Sequence, residues 1–405
     1  MNNLHWLKRL QDLECPDATW SPEDDPLVLE TAQGSLLSDV EGRSYIDLCA
    51  GFGSLPLGHN HETVREILHK HSNEIIHGLG DVYPSRFKIE LMETLASLLP
   101  PSLDRMALAV TGSQAVELAM KTAILATGRS GFVSFEGAYH GLDMGSLSLT
   151  GREDFIQPFH SWFRQDRVTQ LPFRCSMDLL RSTFRSMEKA SAAPAAVIVE
   201  PIQGRGGVRA AGLEWLSRLR ELCTQEGVLL IFDEIFTGLG RSGRITFAEE
   251  VPCDLLCLGK TLGGGFPLSA CVGPAKIMSA WPVNKGEALH TGTFFGHPLS
   301  CQVANATLQM LAKEALWQRT KSLGTVFKEM LNRTLLHHPS VKEVRGEGFM
   351  LAIEFKRPGV GAVFMNQLRK AGVIAIPCGH NGECLSLTPA FNITEQLLND
   401  AVARL

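Results

Sequence analysis

The chain has 405 residues, of which 44% are hydrophobic and 20% are charged, and its formal net charge is −5. This length and composition are typical of a globular enzyme with two domains, or with one large domain and a smaller one. The charge gives no sign of a nucleic-acid partner, and no apolar run approaches the ~20 residues that a membrane helix needs.

The N-terminal segment predicts neither a signal peptide nor a transit peptide, because it lacks a continuous apolar core and carries acidic residues early. Ten cysteines are scattered along the chain, several of them within predicted strands. This usage is expected of reduced core thiols in a cytoplasmic protein. Cys253 and Cys257 have no matching second pair, so no metal site is expected.

The first 30 residues predict a helix and an irregular arm, which we expect to pack on a neighbour rather than to take part in chemistry. Four apolar residues are spaced to form one stripe on this helix: Trp6, Leu7, Leu10 and Leu13. Residues 34–61 predict a hairpin with Glu41 and Gly42 at its turn, followed by a glycine-rich loop that contains Phe52.

A short strand, Met106–Val110, is predicted to run into a helix that opens at Thr111, Gly112 and Ser113. The N-terminus of a helix offers free N–H groups and positive dipole, and is therefore suited to bind phosphate. The same residues are also compatible with an ordinary serine N-cap. A further strand, Phe132–Phe135, leads to Tyr139, whose ring could lie flat on a planar cofactor.

Three apolar runs predict buried parallel strands: Val197–Val199, Val228–Phe232 and Leu255–Leu258. Polar residues follow each run, namely Glu200, Asp233 and Lys260. Ligands of open α/β sheets bind outside the carboxyl ends of the strands, so these three residues mark the expected site. Three glycines, Gly263 to Gly265, follow the lysine and allow close approach of the backbone to a ligand.

The remaining elements alternate between helix and strand. Helices are predicted at Leu213–Cys223, near Leu299–Leu316, at Ala362–Lys370 and at Thr394–Leu405, and strands at Met350–Phe355, Val373–Ile376 and Cys384–Thr388. From about residue 317 the pattern predicts a separate α+β layer.

The motifs taken together resemble the class III aminotransferases, a family of pyridoxal-phosphate (PLP) enzymes of fold type I. The resemblance rests on Asp233-Glu234, on T-G-x-G-R-x-G at Thr237–Gly243, and on L-G-K-x-L-G-G-G at Leu258–Gly265. It implies an α/β fold with a large domain, built on a mostly parallel sheet flanked by helices, and a small α+β domain. Residues 51–316 would form the large PLP-binding domain, and residues 1–50 and 317–405 the small one.

The resemblance also implies roles for the site residues. Lys260 would form the Schiff base with the cofactor and move the proton, and Asp233 would pair with the pyridine nitrogen. Gly112 and Ser113 would bind the phosphate, while Tyr139 and Ile235 would lie on opposite faces of the ring. His140, beside Tyr139, is given no role as a base.

Thr293 matches a threonine that, in this family, reaches the phosphate of the other subunit's cofactor. A homodimer with shared active sites is therefore expected. Two of the matched motifs depart from the usual family residues at one position each. His297, in the motif of Thr293, replaces an asparagine, and Gln114, in the motif of Gly112 and Ser113, replaces a glutamate.

Three further departures concern the substrate. Arg205 stands where relatives have a glutamate, and Ser386 stands where they have the arginine that binds the substrate carboxylate. Either Arg205 supplies the missing guanidinium from the opposite side of the pocket, or the pocket is neutral and Arg205 is a solvated loop residue. Phe236 replaces a glutamine near the cofactor ring, and Phe52 would face the substrate or pack in its loop.

The sequence thus predicts a PLP-dependent aminotransferase that moves an amino group from an amino acid or amine donor to a keto acid or aldehyde acceptor by ping-pong kinetics. The same fold also serves racemases, epimerases and decarboxylases, and the loss of the usual arginine keeps these alternatives open. A catalytically silent PLP-fold binding protein is the remaining alternative. The expected partners are small molecules and a second copy of the chain, with no membrane or nucleic acid.

Overall fold

The computed structural model describes residues 1–19, 27–71, 73–80, 82–163, 167–283, 285–335 and 337–405. Part of the predicted N-terminal arm, residues 20–26, lies outside the described residues. The helices are α1 Asn3–Gln11, α2 Ala50–Gly53, α3 Glu62–His71, α4 Arg86–Leu98, α5 Gly112–Thr127, α6 Met144–Leu149, α7 Glu153–Ile156, α8 Met177–Lys189, α9 Leu213–Glu226, α10 Ala275–Met278, α11 Pro298–Lys313, α12 Leu316–Leu335, α13 Val360–Lys370 and α14 Glu395–Val402.

The strands are β1 Leu29–Gln33, β2 Leu36–Asp39, β3 Ser44–Asp47, β4 Arg105–Ala109, β5 Gly131–Phe135, β6 Val168–Leu171, β7 Pro194–Val199, β8 Ile202–Gln203, β9 Arg209–Ala210, β10 Leu229–Asp233, β11 Leu255–Leu258, β12 Ser269–Gly273, β13 Val341–Glu347, β14 Met350–Phe355, β15 Val373–Ile374, β16 Ile376–Cys378 and β17 Cys384–Leu387. Among the described residues, no helix is both long enough and apolar enough to cross a membrane.

A seven-stranded sheet in the order β4-β12-β11-β10-β7-β5-β6 forms the centre of the molecule. Its neighbouring strands are parallel except for β12, which is antiparallel to both β11 and β4. The three predicted apolar strands are direct neighbours, and Ile231 pairs with both Ile198 and Leu255. The predicted mostly parallel α/β fold is therefore confirmed.

Both faces of this sheet are buried, which explains why its strands are continuous apolar runs rather than alternating ones. Along β10, Ile231 packs in a cluster with residues of α5, whereas Leu230 and Phe232 pack in the larger cluster with residues of α9. Each such residue contributes about 1.5–3 kcal/mol by leaving water. Helices on the two faces thus hold the strand in one register.

The N-terminal hairpin and a C-terminal strand belong to the same sheet, because Val373 of β15 pairs with Ile46 of β3. The hairpin is confirmed, with Glu41 and Gly42 in its turn. A separate antiparallel sheet has the order β13-β14-β17-β16. These pairings support a small domain built from both ends of the chain, while the boundaries at residues 50 and 316 remain predictions.

Several predicted elements near the chain ends are corrected. The strand expected at Val373–Ile376 is divided between two sheets, because β15 pairs with β3 whereas β16 pairs with β17. The helix expected to reach Leu316 ends at Lys313, since Ala315 adopts a left-handed conformation with φ of 47°. Strand β13 and helix α12 were not predicted.

The apolar stripe predicted on α1 is also wrong in part. Leu7 is buried, but Leu13 lies beyond the end of the helix and is exposed. Trp6 and Leu10 are partly exposed as well. The helix is held instead by Asn3, whose side chain donates to Asp39 and accepts from the backbone N–H of Val28.

Arg241 connects three segments of the chain, and its guanidinium has no carboxylate partner among the described residues. Its fully buried guanidinium donates to the carbonyl oxygens of Phe349, Pro389 and Gly53 at 3.1, 2.5 and 3.4 Å. Burial lowers the pKa of this side chain to about 9. A buried carbonyl that loses its donor costs ~1–3 kcal/mol, so this one residue stabilises the contact between the central sheet and the terminal parts.

We expect Arg241→Ala to lower the free energy of unfolding by roughly 2–4 kcal/mol, because it leaves buried carbonyl groups without donors. Urea denaturation followed by circular dichroism measures this loss. Arg333→Ala is the control, since Arg333 is exposed and its one ion pair in the described part of the chain is with Glu329 on the same helix; it should cost less than ~0.5 kcal/mol. Equal losses for the two variants would contradict the role given to Arg241.

Candidate active site

A cavity of about 640 Å³ lies at the carboxyl ends of the parallel strands. Nine of the ten residues that sequence reasoning assigned to the site line it: Phe52, Gly112, Ser113, Tyr139, Arg205, Asp233, Ile235, Phe236 and Lys260. The tenth, Thr293, is exposed outside this cavity, and its carbonyl oxygen lies 2.7 Å from His77 Nε2. Strands from different parts of the chain thus bring the predicted residues together.

Lys260 is separated from the end of β11 by Gly259 and begins a short 3-10 turn that ends at Gly263. Its φ of 40° is in the left-handed region, which is unfavourable for a residue with a side chain and is typical of functional sites. Gly264 follows with no Cβ, and a Cβ there would collide with the hydroxyl of Thr307. This packing holds the turn in place and directs the amine into the cavity.

The electrostatic environment of Lys260 is mixed. Burial lowers the pKa of its amine; the negative charges of Asp233 and Glu200 act in the opposite direction, and Arg205 and Arg241 lower it further. The net effect is a lowered pKa, because an ammonium loses hydration when it is buried. A larger fraction of the amine is therefore the free base, which is the nucleophilic form.

Asp233 ends β10, and its carboxylate is held on two sides. Its Oδ2 lies 2.8 Å from Nδ1 of His140, and its Oδ1 accepts from the backbone N–H of Ile235 at 3.1 Å. Both Asp233 and His140 are buried. Sequence reasoning gave His140 no role, and the neighbouring Tyr139 motif carried no signal that it would contact a residue 93 positions away.

Glu200 connects the two loops that flank the cavity. Its carboxylate oxygens accept from the backbone N–H of Tyr139 at 2.9 Å and from that of Gly204 at 3.1 Å. Burial raises the pKa of Glu200 to about 7, with the charges of His140 and Asp233 acting in opposite directions. Its place after a buried strand drew attention to it in the sequence, but its two partners are visible only in the fold.

The N-terminus of α5 opens into the cavity. Thr111, not Ser113, is the N-cap, and it forms a capping box with Gln114. Glutamine and glutamate both serve at this position of a capping box, so the replacement of glutamate by Gln114 keeps the cap. In the described part of the chain, the backbone N–H groups of Gly112 and Ser113 have no acceptor, while the Ser113 hydroxyl accepts from Leu142 N–H. These two N–H groups remain available for an anion.

Ile235 and Gly112 are in close contact across the cavity. A Cβ at Gly112 would lie 3.0 Å from Ile235 Cδ1, so any larger residue there would displace the side chain. Tyr139 lines the same cavity, and its ring packs edge-on against Phe155 with centroids 5.8 Å apart. Burial raises the pKa of the Tyr139 hydroxyl.

Arg205 is half-buried, and its Cζ lies 5.5 Å from the centroid of the Tyr139 ring. Among the described residues, no carboxylate lies within 4.0 Å of its guanidinium. Ser386, at the position of the missing arginine, is half-buried in β17 between Ala352 and Ile376 and does not line the cavity.

Two phenylalanines complete the wall of the cavity. Phe52 is 60% exposed and lies in α2, where four successive residues from Ala50 to Gly53 have positive φ. Phe236 is half-buried, and the centroid of its ring lies 4.3 Å from the amine of Lys260.

The family model described as Aminotransferase class-III matches residues 19–405. The chain belongs to this family. It is 34% identical over 379 residues to the acetylornithine aminotransferase of Methanosarcina acetivorans, covering 93% of this chain and 90% of the relative. It is 35% identical to the 5-aminovalerate aminotransferase DavT of Pseudomonas putida, covering 93% of this chain and 92% of the relative.

Solved structures of similar proteins agree with this assignment. The ornithine aminotransferase of Toxoplasma gondii superposes with a TM-score of 0.88 at 28% identity, covering 100% of this chain and 93% of that one. An (S)-enantioselective omega-transaminase of Thermomicrobium roseum gives a TM-score of 0.91 at 25% identity, covering 100% of this chain and 97% of that one. This class III aminotransferase is a PLP-dependent transaminase, and the relatives and solved structures named above are transaminases rather than racemases, decarboxylases or silent binding proteins.

The residues of the cavity fit PLP. The free N–H groups at Gly112 and Ser113 suit the phosphate, and the absence of a Cβ at Gly112 leaves room beside Ile235. A buried carboxylate, Asp233, suits a protonated ring nitrogen, and the amine of Lys260 suits the aldehyde.

Proposed function

We propose that Lys260 and Asp233 are the catalytic pair of this aminotransferase. The observation that carries the proposal is the single cavity in which both residues meet the free N-terminus of α5. When bound, PLP withdraws electrons from the substrate carbon that bears the transferred nitrogen, which makes the hydrogen on that carbon acidic. The protein must then bind the cofactor, hold it in orientation and move one proton.

Lys260 holds the cofactor through Nζ and, once released, moves the proton. Its lowered pKa favours the free base, which can accept a proton from the substrate carbon and then return it. Asp233 would pair with the ring nitrogen and keep its proton in place. His140 Nδ1 lies 2.8 Å from Asp233 Oδ2, and the N–H of Ile235 donates to Asp233 Oδ1. These two contacts together fix the orientation of the Asp233 carboxylate.

The other residues that would bind PLP hold the cofactor in position and take no part in proton transfer. Gly112 and Ser113 would bind the phosphate with backbone N–H groups, and Tyr139 and Ile235 would restrain the ring. Glu200 supports this arrangement, because it fixes the Tyr139 backbone.

Reduction of the holoenzyme with borohydride, followed by peptide mapping, should place the pyridoxyl group on Lys260, because reduction makes the link between this amine and the cofactor stable. Lys260→Ala should carry no pyridoxyl group and should lose at least ~10²-fold in the rate of each half-reaction. Lys276→Ala, which changes an exposed lysine, is the control. A pyridoxyl group on another lysine would refute the assignment.

We infer that the substrates carry a carboxylate and that Arg205 binds it. The half-buried guanidinium of Arg205 lies over the ring of Tyr139 and has no carboxylate partner in the described part of the chain. It can therefore form an ion pair with a carboxylate of the substrate. The loop is fixed beneath it, since Gly379 N–H donates to the Arg205 carbonyl at 2.9 Å. The compounds named for the relatives, acetylornithine and 5-aminovalerate, both contain a carboxylate.

Arg205→Gln should raise the Michaelis constant for carboxylate-bearing donors by about 10–100-fold, because a charge-assisted bidentate contact contributes roughly 1.5–3 kcal/mol. Arg205→Glu should raise it further. Donors that are amines without a carboxylate should be used as well as by the unaltered enzyme. The control is Arg209→Gln, which changes a more exposed arginine nearby. A neutral pocket would instead leave the Michaelis constants for acidic donors unchanged in all three variants.

We also propose a homodimer in which Thr293 of one subunit completes the site of the other. Thr293 does not line the cavity of its own chain, and it lies in an apolar surface formed with residues 75–80, 82 and 83. Five large side chains of this surface are between 57% and 69% exposed: Ile76, Leu79, Val82, Tyr83 and Phe294. An exposed apolar surface of this kind is typical of a subunit interface.

Mixed dimers test the shared site. Lys260→Ala and Thr293→Ala subunits, co-expressed with different tags, should form dimers with one site that lacks both residues and one site that lacks neither. We therefore expect one tightly bound PLP for each mixed dimer, measured by equilibrium dialysis, whereas Thr293→Ala dimers should bind PLP more weakly. Failure to recover a tight site would show that Thr293 acts within its own subunit, and unchanged PLP binding by Thr293→Ala dimers would show that it has no part in the site.

The free thiols support the cytoplasmic location that the sequence predicts. All ten cysteines, each at a described position, are unpaired, and eight of them are buried. Such usage fits a reducing compartment, and cell fractionation would decide the location.

A further inference from the structure

The ring of Phe236 lies against the amine of Lys260. The distance from Nζ to the ring centroid is 4.3 Å, within the ~6 Å at which an ammonium is attracted to the negative face of an aromatic ring. Ile235, the neighbour of Phe236, contacts the cofactor side of the cavity at Gly112. Two successive side chains therefore serve different parts of the site.

No ion pair competes with this contact. In the part of the chain that the structure describes, no carboxylate oxygen lies within 4.0 Å of Lys260 Nζ. Asp233 is bound to His140 and to Ile235 N–H, and both oxygens of Glu200 accept from backbone N–H groups. The Phe236 ring is thus the group in direct contact that favours the cation.

The ring cannot move away from the amine without disturbing two loops. A Cβ at Gly53 would lie 2.6 Å from Phe236 Cε2, and one at Gly204 would lie 2.5 Å from Cδ1. Both glycines therefore permit the backbone to close on the edges of the ring. This packing fixes the ring and hence the direction in which its face points.

The charged groups around Lys260 act in opposite directions. Asp233, from β10, and Glu200, from the end of β7, favour the ammonium, whereas Arg205 and Arg241 oppose it. Burial opposes it most. Because charges of both signs surround the amine, their effects on its protonation partly cancel. Direct contact with the face of an aromatic ring then shifts the protonation equilibrium of the amine toward the ammonium.

We propose that Phe236 stabilises the protonated form of Lys260 whenever the amine is released from the cofactor, and so controls how long that amine holds the transferred proton. The proposal rests on the proposed role of Lys260. The proton passes from the substrate carbon to Nζ and leaves Nζ again, so that the amine ends as the free base. Phe236 is a positioning and tuning residue that acts through Lys260.

Fluorinated phenylalanines at position 236 test the proposal, because successive fluorine atoms weaken the negative ring face while they keep its shape. The apoenzyme is prepared with phenylalanine or its 4-fluoro, 3,5-difluoro or 3,4,5-trifluoro form at this position. The rate at which Lys260 reacts with fluorodinitrobenzene is followed against pH by mass spectrometry of the Lys260 peptide. The pH at the midpoint of the Lys260 reactivity curve should fall stepwise along the series, by about 0.5 to 1 pH unit in total.

Phe391 provides the matched control. Its ring also contacts a cation, the guanidinium of Arg241, at 4.6 Å from the centroid, so the same fluorinated residues there should leave the Lys260 midpoint unchanged. Phe236→Leu should lower the midpoint at least as far as trifluorination, and the fluorinated series decides the question if that variant fails to fold.

A midpoint that stays constant across the series at position 236 would overturn the proposal. That outcome is separable from failure of the proposed function, which the position of the pyridoxyl group after borohydride reduction decides alone. If the group is on Lys260 and the midpoint does not move, only the role of Phe236 is lost.

Discussion

The parallel register of β7, β10 and β11 is the constraint on which the candidate site depends. The three strands end at the same edge of the sheet, and Glu200, Asp233 and Lys260 lie at their carboxyl ends. Both faces of the strands are covered by helices, so a slip of one residue would exchange the side chains packed on the two faces. Packing of apolar side chains, rather than attraction among the charged groups, therefore sets where those groups meet.

In the site, the two carboxylates already have hydrogen-bond partners from the protein, whereas the amine of Lys260 forms no ion pair with a described residue. The oxygens of Asp233 and Glu200 are bound by donors from the protein, and Lys260 remains free of ion pairs among the described residues. An amine in a close ion pair would be held in its protonated form, which cannot act as a nucleophile. Burial lowers the pKa of the Lys260 amine, and no ion pair with a described residue holds the amine in its protonated form.

Two segments that line the cavity carry backbone strain. Lys260 and the turn from Ala50 to Gly53 have positive φ, which costs on the order of 1–3 kcal/mol for each residue with a side chain. Arg241 lies fully buried behind this turn and donates to the carbonyl oxygen of Gly53. The strain is tolerated because the surrounding packing and hydrogen bonds fix the loops from outside.

The amino-acid sequence by itself determined the central elements and the identity of most cavity residues. Apolar runs and glycine-rich turns are local signals, so Leu255–Leu258 and the helix after Thr111 were predicted close to their observed bounds. The family motifs then supplied the expected roles. Strand Val341–Glu347 was not predicted, because five of its seven residues are charged or glycine and its alternation is weak.

Only the tertiary structure decided which side chains touch. The contact of His140 with Asp233, the packing of Arg205 on Tyr139 and that of Phe236 on Lys260 join segments between 24 and 93 residues apart. No local pattern encodes such contacts, since they depend on the order of strands in the sheet and on the conformation of the loops after them. For the same reason, the strand expected at Val373–Ile376 was divided between two sheets: propensity predicts an extended backbone, but the available pairing partners decide where it is bound.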